Sequence, residues 1–175
     1  MKRALLHLAI AGLSVSMAAG QVKKSAVEGI NNFSQVETTV ACAGATTPAA
    51  VAGIKKMGFA SIINLRLPTE PGAEIEAEAA AAEAAGIKFV HIPMSSSAPD
   101  TAVADRFLKT ISEPATEPAF IHCASGNRAS AMWMIKRVLI DKWDVARASE
   151  EAAQLGLTSP VLKTFALDYI QAHKN

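Results

Sequence analysis

Short apolar runs rich in β-branched residues alternate with helical patterns along this chain, and glycine or proline separates almost every pair. Val36 to Cys42, Ala60 to Leu65, Lys88 to Ile92 and Ala119 to His122 read as four strands. Helical patterns lie between and after them. Thr47 and Pro48 open one that runs to about Met57, with Gly58 as its stop. Gly72 to Ala85 is rich in alanine and glutamate and ends at Gly86. Asp100 or Thr101 caps a third helix, which places Val103, Phe107, Leu108 and Ile111 at helical spacing. Further helices run from about Arg128, from Asp141 or Trp143 to Leu155, and from the Ser159-Pro160 start to near His173. Parallel strands need crossover connections, usually helical, so the expected fold class is α/β. It is a mainly parallel, four- to five-stranded sheet flanked by helices.

The amino terminus is set apart from that pattern. Lys2 and Arg3 precede an apolar run from Ala4 to Ala19, and Ala18-Ala19-Gly20 supplies small residues where a signal peptidase cuts. The reading is a signal peptide over 1–20, a flexible polar lead-in over 21–32, and one domain over 33–175. The mature domain is then exported, periplasmic or secreted, with no membrane span after cleavage. Seventeen basic residues against 16 acidic ones, a formal charge of +1, argue against a nucleic-acid partner. Two cysteines are too few for a disulfide scaffold or a four-ligand zinc site, and His91 and His173 have no partner motif, so no metal is expected.

Chemistry concentrates in Phe120-Ile121-His122-Cys123-Ala124-Ser125-Gly126-Asn127-Arg128. A strand delivers a cysteine into a short glycine-containing loop that opens a helix. The amides of such a loop converge, and the helix N-terminus adds partial positive charge. A helix N-terminus and a guanidinium favour the thiolate form of a cysteine in general. The same arrangement suits a tetrahedral oxyanion, with the Arg128 fork on two of its oxygens.

His122-Cys123 with Gly126 and Arg128 resembles the signature of cysteine-dependent phosphatases of the protein tyrosine and dual-specificity kind. Upstream, Ile62-Ile63-Asn64-Leu65-Arg66, a glutamate-rich helix and Gly86 to Pro93 are similar to the bacterial phosphatase-like domains of β-lactamase-hydrolase-like proteins. The resemblance spans roughly Phe33 to Leu157. It implies phosphate-monoester hydrolysis of a phosphorylated substrate without a cofactor. Cys123 would be the nucleophile that becomes a phosphocysteine. Arg128 and the loop of Ala124, Ser125, Gly126 and Asn127 would bind the phosphate. His122 would fix the thiol, or stand as a core histidine.

By the same resemblance an aspartate after Pro93 would be the general acid. Asp100 is the nearest carboxylate, as acid or as helix cap, and Asp105 reads as a solvated helical residue. Ser130 would donate to the cysteine sulfur or bond its own backbone. Cys42 would lie near the site mouth, where a disulfide to Cys123 is one reading and a separate free thiol the other. Arg66 would reach the phosphate or pair at the surface with downstream glutamates, and Glu74, Glu76, Glu78 and Glu83 would form a solvated face. Only four residues separate Cys123 from Arg128, where the usual phosphatase loop has five. The shorter loop is similar to that of rhodanese-type sulfurtransferases, which leaves a Cys123 persulfide, or a non-catalytic oxyanion-binding domain, as alternatives.

Overall fold

The computed structural model describes residues 22–36 and 38–174, so the expected signal segment lies outside the described residues. The strands are β1 (Val22–Lys24), β2 (Ser34–Val36), β3 (Val40–Ala43), β4 (Ser61–Asn64), β5 (Lys88–His91) and β6 (Ala119–His122). The helices are α1 (Val51–Lys56), α2 (Ile75–Ala85), α3 (Thr101–Ile111), α4 (Asn127–Leu139), α5 (Val145–Leu155) and α6 (Pro160–His173). One six-stranded sheet runs β1-β2-β3-β6-β4-β5. β3, β6, β4 and β5 are parallel, as the strand–helix alternation requires, and β1 and β2 are antiparallel additions beside β3.

Two expectations are corrected at that antiparallel edge. The single first strand over Val36 to Cys42 is in fact two, because the chain turns back through Thr38 and Thr39, with the Thr39 amide on the Val36 carbonyl at 3.1 Å. The β-branched residues that suggested one run fill both strands and the turn between them. The lead-in expected to be loose carries β1, paired to β2 from Val22↔Val36 to Lys24↔Ser34. It also buries Ile30, and the Asn31 main chain bonds Gly44 and Ala45. Its order comes from backbone bonds and one inserted side chain, neither of which makes a periodic pattern.

The sheet separates two apolar layers. Ala41, Ile62 and Phe120 face a cluster that takes in Val51 and Ile54 of α1 and Ala82 of α2. Cys42, Ile63 and Ile121 face the larger cluster, filled by Phe107, Trp133, Met134, Leu155 and Tyr169 from α3 to α6. This alternation follows from the two-residue period of a strand buried on both faces. The termini obey local chemistry: Asp100, Asp144 and Ser159 each accept a backbone N–H from the first turn of α3, α5 and α6. Thr47 makes no such cap, and the expected helix after it begins as one 3₁₀ turn at Pro48–Ala50 before α1.

The register fixes where a site can form. Ala43, His122, Asn64 and His91 lie in one row across the four parallel strands, so their carboxyl ends finish level. Ligands of open α/β sheets bind outside that edge. Cys123 is the first residue beyond it, on the central strand β6.

Candidate active site

The loop after β6 is tied down from outside. The Cys123 amide donates to the Ala43 carbonyl at 3.1 Å, the Ala45 amide to the Ala124 carbonyl at 3.0 Å, and Asn32 Nδ2 to the Ser125 carbonyl at 3.2 Å. A trans peptide points its N–H opposite to its C=O. Carbonyls held outward therefore turn the Ser125 and Gly126 amides inward, and the Gly126 N–H reaches Cys123 Sγ at 3.1 Å. Gly126 has φ +98°, a backbone state that side-chain-bearing residues rarely adopt, and it starts α4 there. Asn127 anchors the far end, its Oδ1 accepting from the Thr158 and Ser159 amides at 2.7 Å each. The result is a cysteine at a helix N-terminus with the Gly126 amide on its sulfur, a cradle for an anion.

Arg128 is almost fully buried and lies in this cradle. Its Nη1 donates to the Leu65 carbonyl at 3.0 Å, the Met94 carbonyl at 2.7 Å and Glu70 Oε1 at 2.5 Å, and its Nη2 to Glu70 Oε2 at 2.8 Å. These bonds take both Nη1 hydrogens and one Nη2 hydrogen, and the Nε and second Nη2 hydrogens lie outside them. Burial works against the guanidinium charge, but Glu70 and the neighbouring Cys123 more than offset it and raise its affinity for the proton. Burial alone would raise the Glu70 carboxyl. The hydrogen bonds from Arg128, from the Leu67 amide and from Arg66 override it and hold Glu70 at about 2. Arg66 is the second buried cation here. Its Nη1 and Nη2 bond the Gly72 and Pro71 carbonyls at 2.5 and 2.6 Å, so its ion pair with a downstream glutamate exists but is interior, not on the surface. Glu70 and Asn32 are residues of this site that sequence reasoning missed.

Other expected site residues are placed differently. His122 and Cys123 are neighbours in sequence, yet the strand alternation sends the imidazole to the α1–α2 face while Cys123 joins the opposite cluster. The fully buried ring puts Nε2 2.9 Å from Glu78 Oε1, an ion-pair distance without the alignment of a hydrogen bond. Glu78 Oε2 accepts from Asn64 Nδ2 at 2.6 Å. Glu78 is thus interior, a correction to the solvated face expected for the α2 glutamates. Asp100 is exposed and its Oδ1 takes the Ala102 amide at 2.9 Å, the capping half of its two expected roles. Asp105 is an exposed residue of α3, as expected, and its carboxylate accepts the Tyr169 hydroxyl. Ser130 Oγ donates to the Gly126 carbonyl at 2.9 Å, the backbone alternative.

Cys42 and Cys123 are both free thiols, so the disulfide reading is not the state observed. Cys42 is opposite Ile121, two residues short of Cys123, and lies buried on the same sheet face. Burial pushes its thiol well above the ordinary range, only partly countered by Ser130, which keeps it protonated and unreactive. Beside the loop a cleft of about 730 Å³ opens, walled by Ser125 and Asn127 with Lys24, Asn32 and Thr158.

Residues 32–140 match the family described as beta-lactamase hydrolase-like protein, phosphatase-like domain. No curated protein matches the chain in sequence. Among solved structures, the fold is similar to a DUF442 protein of Shewanella putrefaciens CN-32, 18% identical, over 85% of this chain and 97% of that one, at a TM-score of 0.68. It is similar to the core catalytic domain of the PP-IP phosphatase SIW14 of S. cerevisiae in complex with citrate, 18% identical over 82% and 88%, at 0.66. It is also similar to a cysteine-to-serine variant of P. aeruginosa TpbA in complex with pTyr, 17% identical over 91% and 93%, at 0.65.

Proposed function

The chain belongs to the family of phosphatase-like domains of β-lactamase hydrolase-like proteins, and from that premise we propose that it is a cysteine-dependent phosphatase acting through a phosphocysteine. The observation that carries this reading is the Cys123 sulfur seated under inward amides, with the Gly126 N–H at 3.1 Å and the buried Arg128 guanidinium beside it. The substrate is a phosphorylated molecule, the class to which the pTyr held by TpbA belongs.

In the first step Cys123 Sγ attacks phosphorus. An S–P bond forms, the P–O bond to the leaving group breaks, and its electron pair departs on oxygen. The Ser125 and Gly126 amides and Arg128 take up the charge of the equatorial oxygens. Water then cleaves the S–P bond, giving inorganic phosphate and regenerating the thiolate. His122, on the other sheet face, acts on this site only through the backbone it shares with Cys123.

We further propose that the domain is exported, on the strength of Lys2-Arg3, the apolar run to Ala19 and the Ala18-Ala19-Gly20 site. Among the described residues no helix is long and apolar enough to cross a membrane. Terminal sequencing of protein recovered from the cell envelope checks this, with a mature chain beginning near Gln21 as the expected result.

The deciding experiment uses reduced protein and its Cys123→Ser variant, each given an activated aryl phosphate, and separately thiosulfate with cyanide. Phosphate release that disappears in the variant is expected. Thiocyanate formation without phosphate release would replace this reading by sulfur transfer.

A further inference from the structure

Among the described residues, no group is placed to protonate the leaving oxygen. The Met94–Asp100 segment is the wall on which it would be needed, since the Met94 carbonyl is itself held by Arg128 at 2.7 Å. Residues 94–99 read Met-Ser-Ser-Ser-Ala-Pro and contain no carboxylate. The segment folds on itself, with the Ala98 amide on Ser95 Oγ at 3.1 Å and Ser95 Oγ 3.3 Å from Ser97 Oγ. Serine hydroxyls donate hydrogen bonds to an oxygen but do not surrender a proton to it at neutral pH.

Among the described residues, each nearby titratable group is already engaged elsewhere. Asp100 caps the first turn of α3, its Oδ1 held by the Ala102 amide at 2.9 Å. Asp105 is taken by Tyr169, from α6. Glu70 stays ionised, bonded twice to Arg128 and once each to Leu67 and Arg66, and has no proton to give. His91, on β5, has Nε2 on the Arg66 carbonyl at 2.8 Å, and His122 is sealed against Glu78.

From this arrangement, and resting on the phosphatase reading above, we propose that the enzyme works without a general acid and that its substrates are phosphoric anhydrides, acyl phosphates or phosphoanhydrides, in preference to alkyl or tyrosyl monoesters. The electron pair of the broken P–O bond then leaves on an oxygen already stable as an anion, a carboxylate or a phosphate, and the proton balance is left to solvent. A tyrosyl or alkyl oxygen, whose conjugate acid is far weaker, departs slowly from the same site.

The test is a leaving-group series. The second-order rate constant is measured for aryl phosphates whose phenols span roughly pKa 5 to 10, and for acetyl phosphate, using wild type, Asp100→Asn and Asp105→Asn. Asparagine is as good a helix cap as aspartate, so Asp100→Asn keeps the fold. The expected result is a steep line, on the order of tenfold slower for each unit of leaving-group pKa. Acetyl phosphate should be among the fastest substrates, and both variants should fall on the wild-type line. A shallow line in wild type overturns the proposal, and one that steepens only in Asp100→Asn identifies Asp100 as the acid. No turnover of any member by folded, reduced protein removes the phosphatase reading itself, and the proposal with it.

Discussion

Glu70 is 58 residues from Arg128 in sequence and bonds both ends of its fork, which fixes the guanidinium plane before any anion arrives. A preset fork spares substrate the entropy of ordering it. Glu70→Gln removes the charge and one acceptor while keeping the shape. The rate constant is expected to fall by up to about a hundredfold, the scale of a misplaced positioning group. Stability should fall by at most about 3 kcal/mol, since Glu70 is partly exposed and the pair is screened. The sign with pH follows from the lowered carboxyl. A group at about 2 when folded, and near its ordinary value when unfolded, stabilises the protein fully above that ordinary value. That contribution is lost as pH falls from about 4 towards 2. Denaturant midpoints of wild type and Glu70→Gln should therefore differ by a constant amount from pH 7 to 5 and converge below about pH 4. A difference that grows on acidification would refute the assignment of the charge to Glu70.

Among the elements, the end of β3 sets the loop as much as β6 does. A Cβ on Gly44 would come within 3.0 Å of the Ala124 carbonyl and 3.1 Å of the Asn31 carbonyl, both backbone atoms with little room to give. Gly44→Ala is expected to cost about 1–3 kcal/mol and to lower activity beyond that, because the Ala124 carbonyl it displaces is what turns the next amide inward. Gly53→Ala is the control: its Cβ would meet nothing within 4 Å, so it should gain up to about 1 kcal/mol as a helical alanine with activity unchanged. Equal activity in the two variants would show that the β3 contact does not shape the cradle. The parallel core and the cysteine loop were legible because their signals are local: strand runs bounded by glycine and proline, and a cysteine, glycine and arginine at fixed offsets. Gly44 and Asn32 were not, since their importance lies in which carbonyl they approach across the fold. α2 shows the same limit. Its alanines give no apolar stripe, so nothing in the run distinguishes the buried Glu78 from the exposed Glu76 and Glu83.

At the scale of the whole molecule, the site draws on segments far apart in the chain: Asn32, Ala43, Ala45, Leu65, Glu70, Met94 and Thr158 all bond the 123–128 loop or its arginine. An anion that completes this convergence binds only the folded state and must therefore stabilise it globally. At a hundredfold excess over its dissociation constant the gain is about 2.7 kcal/mol. For a domain of this size that corresponds to a rise of roughly 5–10 °C in thermal midpoint. Inorganic phosphate is the probe, compared with chloride at equal ionic strength. Wild type and Cys123→Ser should both show the rise, because the serine keeps the amides and the fork. Arg128→Lys should lose most of it, since a single ammonium neither spans two phosphate oxygens nor fits the two Glu70 oxygens. A rise of the same size in Arg128→Lys would mean that phosphate acts as an excluded salt on the whole surface and not at this cradle. The anion-binding reading of the loop would then fall, although the fold that carries it would stand.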